Sequence, residues 1–254
     1  MVLSHDVGGD GPAVLLLHAG VCDRRMWDDQ WRPLIDAGFQ VIRCDLPGFG
    51  QSPLPAGPYT DSGEVLALLD TLGIRRVSLV GSSYGGKVAL EVAARRPERV
   101  EALVLLAAAL PGHSPSAELR ALGEREDALI EAGDLAGGAR LMAESWLGPE
   151  AGESAAQAVY EMQLRAYELQ LAAQTTEPVE GEPVEGAVEL AALTMPCLAV
   201  SGAYDLADFR HPETALPATA RHIELPWAGH LPSMERPAEV TELIVTFLHE
   251  VTNE

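Results

Sequence analysis

Along most of the chain, short apolar runs alternate with segments long enough to be helices. The runs fall at residues 13–18, 41–45, 77–81, 100–107, 197–202 and 222–225. They are near-continuous in Val, Leu, Ile and Ala, with no alternation of apolar and polar positions, and strands covered on both faces of a sheet need that pattern. Between the runs lie candidate crossover helices at 26–37, 62–72, 85–95 and 238–251. In the last of these, Val240, Leu243, Ile244, Phe247 and Leu248 fall on one apolar stripe. Pro97 helps to end the third. Strands alternating with helices predict an α/β fold: a mostly parallel central β-sheet flanked by helices on both faces.

The stretch 111–193 breaks the rhythm. It is rich in Ala, Glu and Leu, offers no convincing strand, and carries helical patterns at 117–132, 135–147 and 155–174. It reads as a helical cap inserted between two strands, dividing the chain into a first part of the core (1–110), the cap (111–193) and a second part of the core (194–254). Near its end the sequence Glu-Pro-Val-Glu-Gly stands twice in a row, at 177–181 and 182–186, where its Pro and Gly predict an extended connector. Two copies of five residues do not make a repeat architecture.

Composition narrows the possible partners. The 254 residues include 38 acidic and 17 basic ones, a formal charge of −21, with Lys87 the single lysine. Such a field repels phosphate backbones and anionic lipid, so neither nucleic acid nor a membrane is expected as a partner. Hydrophobic residues make up 47% of the chain, enough for a real core. Cys22, Cys44 and Cys197 are far apart and show no metal or disulfide spacing, which fits a reduced cytoplasm. With no membrane-length apolar window and no basic-then-apolar leader at the N-terminus, a soluble cytoplasmic protein is expected. The sequence is silent on oligomeric state.

The strongest chemical signal is Val-Gly-Ser-Ser-Tyr-Gly-Gly, in which Gly81, Ser83 and Gly85 form a G-x-S-x-G frame between a predicted strand and a predicted helix. A sharp strand-to-helix turn tolerates only small residues two positions either side of its serine. Taking Ser82 as nucleophile would put Val80 and Tyr84 at those positions, so the frame selects Ser83. A serine hydroxyl is a weak nucleophile and needs a base, and the base needs an orienting acid. Asp205 follows the run 197–202, and His230 follows the next run and a glycine; Asp208, three residues beyond Asp205, is a rival acid. Two backbone N–H groups should stabilise the oxyanion. Tyr84, just after the nucleophile, supplies one; Gly20 in Leu-His-Ala-Gly-Val supplies the other, with Val21 the next choice. His18 then holds this loop by hydrogen bonds and is no second base.

These motifs, with Asp45-Leu-Pro-Gly-Phe-Gly-Gln-Ser52, Met26-Trp27 and Glu235-Arg-Pro237, resemble the α/β-hydrolase superfamily over nearly the whole chain. The nearest flavour is that of small capped esterases, enol-lactonases, carbon–carbon bond hydrolases and cofactor-free perhydrolases. The resemblance implies that the Asp45 loop shapes the sheet edge without doing chemistry. It also implies that the dehalogenases and epoxide hydrolases of the superfamily, which use a carboxylate nucleophile, are excluded by Ser83. The chain departs from the pattern in three places: His18-Ala19 replaces His-Gly, the N-terminal strands shrink to about residues 2–7, and Trp227 stands where a small residue is common. Trp227 either lines the pocket or packs.

The expected reaction is acyl transfer on a small, mostly apolar ester or lactone, needing no cofactor and no metal. Non-hydrolytic or carbon–carbon cleaving catalysis at the same site is the alternative, and a ligand-binding receptor a more distant one. The cap carries Trp146 among many apolar residues, and only Arg120, Arg125, Arg140 and Arg165 as cations, so Trp146, Val21 and Trp227 are candidate pocket residues.

Overall fold

The computed structural model describes residues 2–174, 189–211 and 214–252. Its framework is a seven-stranded sheet in the order β1-β3-β2-β4-β5-β6-β7. The strands are β1 His5–Gly8, β2 Ala13–Leu17, β3 Gln40–Cys44, β4 Val77–Ser82, β5 Val100–Leu106, β6 Cys197–Gly202 and β7 Arg221–Leu225. Only β1 runs antiparallel, pairing His5 with Cys44 at the sheet edge.

The continuous apolar runs serve two cores at once, because successive side chains of a strand point to opposite faces. On β2 and β5, Val14, Leu16, Ala102, Val104 and Leu106 enter one cluster, while Leu15, Leu17, Leu103 and Leu105 enter the other. The first face is covered by α1 (Asp28–Asp36) and α9 (Pro237–Thr252), through Leu34, Val240, Ile244, Phe247 and Leu248. The second is covered by α2 (Asp61–Thr71) and α3 (Tyr84–Arg95), through Val65, Leu68, Leu69, Val88 and Val92.

The strand order reverses at β2. From it the chain steps out to β3 on one side, then returns to β4 on the other, so the carboxyl ends of β2 and β4 flank a crevice. Such a switch point is where parallel sheets place ligands.

The cap leaves after β5 as α4 (Ala117–Glu131), α5 (Leu135–Trp146) and α6 (Glu153–Gln174), and β6 follows it. Ser116 caps α4 by accepting from the Leu119 N–H, and Asp134 caps α5 by accepting from that of Gly137. The doubled Glu-Pro-Val-Glu-Gly segment lies outside the described residues.

Element boundaries moved where backbone pairing overrides side-chain pattern. The first strand is residues 5–8, not 2–7, since it forms only where it pairs with β3. The helix expected at 26–37 begins as a 3-10 turn, Arg24–Trp27, whose Asp23 cap accepts from the Arg25 N–H. The helix expected from 238 starts at Pro237, directly after a separate single turn, α8 (Pro232–Glu235); proline suits a first helical position because the N–H it lacks has no helical acceptor there. The short α7 (Ala207–Arg210) carries no sequence period long enough to announce it. Among the described residues, no helix is long and apolar enough to cross a membrane.

Candidate active site

Ser83 stands between β4 and α3 with φ 50° and ψ −113°, in the left-handed region that non-glycine residues rarely occupy. Such a conformation costs on the order of 1–3 kcal/mol and persists only where the surroundings hold it. They do so here. The Ser83 N–H donates to the Leu106 carbonyl (2.9 Å), and the Ser83 carbonyl accepts from Lys87 (3.1 Å) and Ala109 (3.0 Å). The flanking glycines are sterically required. A Cβ on Gly81 would lie 2.5 Å from the Gly85 carbonyl oxygen, and one on Gly85 would lie 2.2 Å from that of Leu17.

The Ser83 side chain meets His230, with Oγ 2.7 Å from Nε2. The other ring nitrogen, Nδ1, lies 2.7 Å from Asp205 Oδ2. An ionised carboxylate only accepts, so Nδ1 carries the proton, and Nε2 is left to accept from the serine. The Asp205 and His230 side chains are 1% and 3% exposed, and Ser83 as a whole residue is half-buried. Asp205 Oδ1 also accepts from the Leu206 N–H (2.7 Å).

The loops that carry Asp205 and His230 touch backbone to backbone. A Cβ on Gly202 would lie 2.1 Å from the Gly229 carbonyl oxygen, and Tyr204 N–H donates to the Ala228 carbonyl (2.9 Å).

Asp208 does not join this chain. Its carboxylate accepts from the Ser116 N–H (2.7 Å) and lies 2.9 Å from His113 Nε2, at the start of the cap. Burial works against its ionisation, but the bonds from Ser116 and His113 prevail and bring its pKa down to about 2. Ser82 is buried. A second serine–histidine contact, Ser201 Oγ to His222 Nε2 at 2.8 Å, sits within strands, with Ser201 wholly buried, and presents no nucleophile.

Gly20 and Tyr84 come together beside Ser83: a Cβ on Gly20 would be 3.5 Å from that of Tyr84. Tyr84 is the first residue of α3, so its N–H has no acceptor within the helix. Cys22 N–H closes a turn on the Ala19 carbonyl (2.9 Å), with Gly20 and the half-buried Val21 at its two central positions.

His18 fixes this turn, with Nδ1 2.8 Å from the Ala19 carbonyl and Nε2 accepting from the Leu46 N–H at 2.9 Å. Burial lowers the His18 pKa, which suits a neutral ring acting as a strut. The Tyr84 hydroxyl donates to Asp61 at the start of α2, anchoring the side chain next to Ser83.

Two aromatic rings close over His230: Trp146 at 4.4 Å and Phe209 at 4.2 Å between centroids. Trp146 belongs to the cap, and its carbonyl accepts from the His230 N–H (2.9 Å). Phe209, on α7, escaped the sequence reading; its only signal is an apolar residue one helical turn beyond the acid. Trp227 is buried and packs against the start of α9. Its indole N–H donates to Glu239 (3.0 Å), and the Arg236 guanidinium lies 4.5 Å over its ring. Among the described residues, no three His, Cys, Asp or Glu side chains converge as a metal site.

The profile of the alpha/beta hydrolase family matches residues 14–243. Over 112 residues the chain is 36% identical to a 2-hydroxy-6-oxo-6-phenylhexa-2,4-dienoate hydrolase of Comamonas testosteroni, covering 41% of this chain and 39% of that one. Over 113 residues it is 40% identical to epoxide hydrolase 2 of Siraitia grosvenorii, covering 42% and 36%. These matches therefore span about two fifths of the curated relatives' length. Among solved structures, the enol-lactonase of Burkholderia xenovorans LB400 superposes with a TM-score of 0.78 at 26% identity, covering 97% of this chain and 96% of that one. The switch-point crevice, the strained serine turn and the family match over most of the sequence agree: the chain belongs to the alpha/beta hydrolase family.

Proposed function

We propose that this protein is a serine hydrolase cleaving a carboxylic ester or lactone of a small, mostly apolar substrate. The observation that carries the reading is the unbroken hydrogen-bonded chain Ser83–His230–Asp205.

In the proposed reaction Ser83 Oγ attacks the substrate carbonyl carbon while its proton passes to His230 Nε2. The tetrahedral oxyanion accepts from the N–H groups of Gly20 and Tyr84. His230 then returns the proton to the departing alkoxide oxygen, and water, deprotonated by the same imidazole, hydrolyses the acyl-enzyme. Asp205 holds the ring and stabilises it when charged. The apolar walls supplied by Trp146 and Phe209 favour an apolar substrate. Of the cap arginines, Arg120 donates to the Pro115 carbonyl and Arg165 pairs with Glu168 at 3.2 Å, so neither stands unengaged for an anion.

A second reading, cleavage of a carbon–carbon bond beside a ketone, is favoured by the similarity to the dienoate hydrolase. The test is a panel of p-nitrophenyl esters, small lactones and vinylogous 1,5-diketones, with product analysis and intact mass of trapped enzyme. Ester or lactone turnover that falls by at least ~10³-fold in Ser83→Ala is the expected result. Near-native turnover in that variant would overturn the assignment of the nucleophile.

A further inference from the structure

Glu235 lies in none of the elements that supply the triad, yet its carboxylate reaches the loop that carries the base. Oε1 and Oε2 each stand 3.0 Å from the Gly229 N–H, and Oε1 accepts from the Leu231 N–H at 3.3 Å. Those are the two amides on either side of His230. The same carboxylate packs against the backbone of Gly148, two residues past the end of cap helix α5.

The remaining amide in the series, that of His230 itself, donates to the Trp146 carbonyl. Every backbone N–H from Gly229 to Leu231 is thus held by Glu235 or by the end of α5.

The packing is equally close. A Cβ on Gly148 would lie 2.4 Å from Glu235 Oε2 and 2.6 Å from the Gly229 nitrogen, and one on Gly229 would lie 2.4 Å from the Gly148 nitrogen. Only two glycines allow the backbones of cap and base loop to meet with the carboxylate between them. Burial raises the Glu235 pKa against the pull of these amides, so the site tolerates a partly desolvated carboxylate for the bonds it makes. The neighbouring Arg236 turns outward to Glu150 and Glu239 and does not share its charge with this site.

We propose that Glu235 is a positioning residue that sets the height and tilt of His230 and locks the end of α5 to the base loop, so that this corner of the cap stays closed during turnover. The proposal rests on the Ser83–His230 reading given above. Glu235 touches no reacting atom; it acts through the backbone of the loop.

Glu235→Gln keeps the side chain's shape but replaces one acceptor oxygen with an N–H donor facing amides that are themselves donors. With p-nitrophenyl acetate, kcat is expected to fall roughly 10- to 100-fold while KM stays within about twofold, since a small displacement of a reacting group carries a loss of that order. Gly148→Ala approaches the same clasp from the cap side and should lower kcat in the same way, and it decides the matter if Glu235→Gln does not fold. Arg236→Ala, with its exposed ion pairs, should leave kcat unchanged.

A fluorophosphonate supplies a readout independent of substrate binding. Ser83 Oγ forms a bond to phosphorus, fluoride leaves, and the serine proton goes to His230. Its inactivation rate should fall in parallel with kcat in both variants. Folded variants inactivated at the wild-type rate would overturn the positioning role alone. A wild-type protein that the reagent leaves unlabelled at Ser83 would instead overturn the triad reading, and this proposal with it.

Discussion

Asp205 and Asp208 lie three residues apart yet hold different partners. In the proposed reaction Asp205 fixes the tautomer of His230, so Asp205→Asn, which presents an amide where the ring needs an acceptor, should lower kcat by roughly 10⁴-fold with little change in Tm. Asp208→Asn should do the reverse. The folded pKa of Asp208, about 2, lies below the ordinary 3.8, so the ionised form contributes stability that is full above about pH 4 and is lost as pH falls towards 2. Thermal melts should therefore show the Asp208→Asn variant less stable than wild type at pH 7, with the gap closing below pH 4, while ester turnover at pH 7 stays near wild type. The reverse ranking in activity would return the acid role to Asp208. Ser83, Asp205 and His230 were legible in the sequence because each stands beside glycines whose missing side chains leave room for tight turns. Phe209 and the contacts that Glu235 and the Trp146 ring make with the His230 loop were not, since each meets its partner only through the fold, with Trp146 84 positions away from His230 in the chain.

At the scale of elements, the turn that presents Ser83 depends on how closely α3 approaches β2. Gly85→Ala would drive a methyl group to 2.2 Å from the Leu17 carbonyl oxygen and 2.6 Å from that of His18, and backbone atoms leave nothing flexible to yield. The expected loss is about 3 kcal/mol, the upper end for overpacking, and roughly 5–10 °C in Tm for a chain of this size. Activity should fall with it, because the helix carries the Tyr84 N–H. The control is Gly123→Ala on α4, where a Cβ meets nothing within 4 Å. That change should raise stability by about 0.5–1 kcal/mol through helix propensity, with turnover unaltered. Differential scanning calorimetry of both variants checks the pair. The central strands could be read from sequence because burial on both faces makes them continuous apolar runs, as 100–107 shows. The edge strand β1 and the one-turn helices α7 and α8 could not, for their limits are set by pairing and by neighbouring loops, not by any period of their own.

Across the whole molecule, the cap divides into parts that differ in how firmly they belong to the body. Helix α4 has no buried residue, whereas α5 buries Met142, Ala143 and Trp146 and ends in the bonds to the His230 loop. The sequence shows an insertion over the strand ends, but an amphipathic pattern cannot reveal which of its helices is fastened to the base. Two truncations separate the roles. Replacing α4 with a short linker removes one wall of the cavity lined by Glu118, Ala121, Leu122, Arg125, Ser145 and Leu206 and leaves the α5 clasp in place. Such a variant should lose roughly tenfold in kcat/KM, about 1.4 kcal/mol, on p-nitrophenyl hexanoate and little on p-nitrophenyl acetate, because the longer acyl chain draws on positioning that the acetyl group hardly uses. Removing the chain through Gly148 takes away the acceptor of the His230 N–H and the cap half of the Glu235 site, and both esters should then suffer alike. Equal losses on the two esters in a folded α4 truncation would mean that α4 also supports the triad, and that substrate selection resides in the body of the protein.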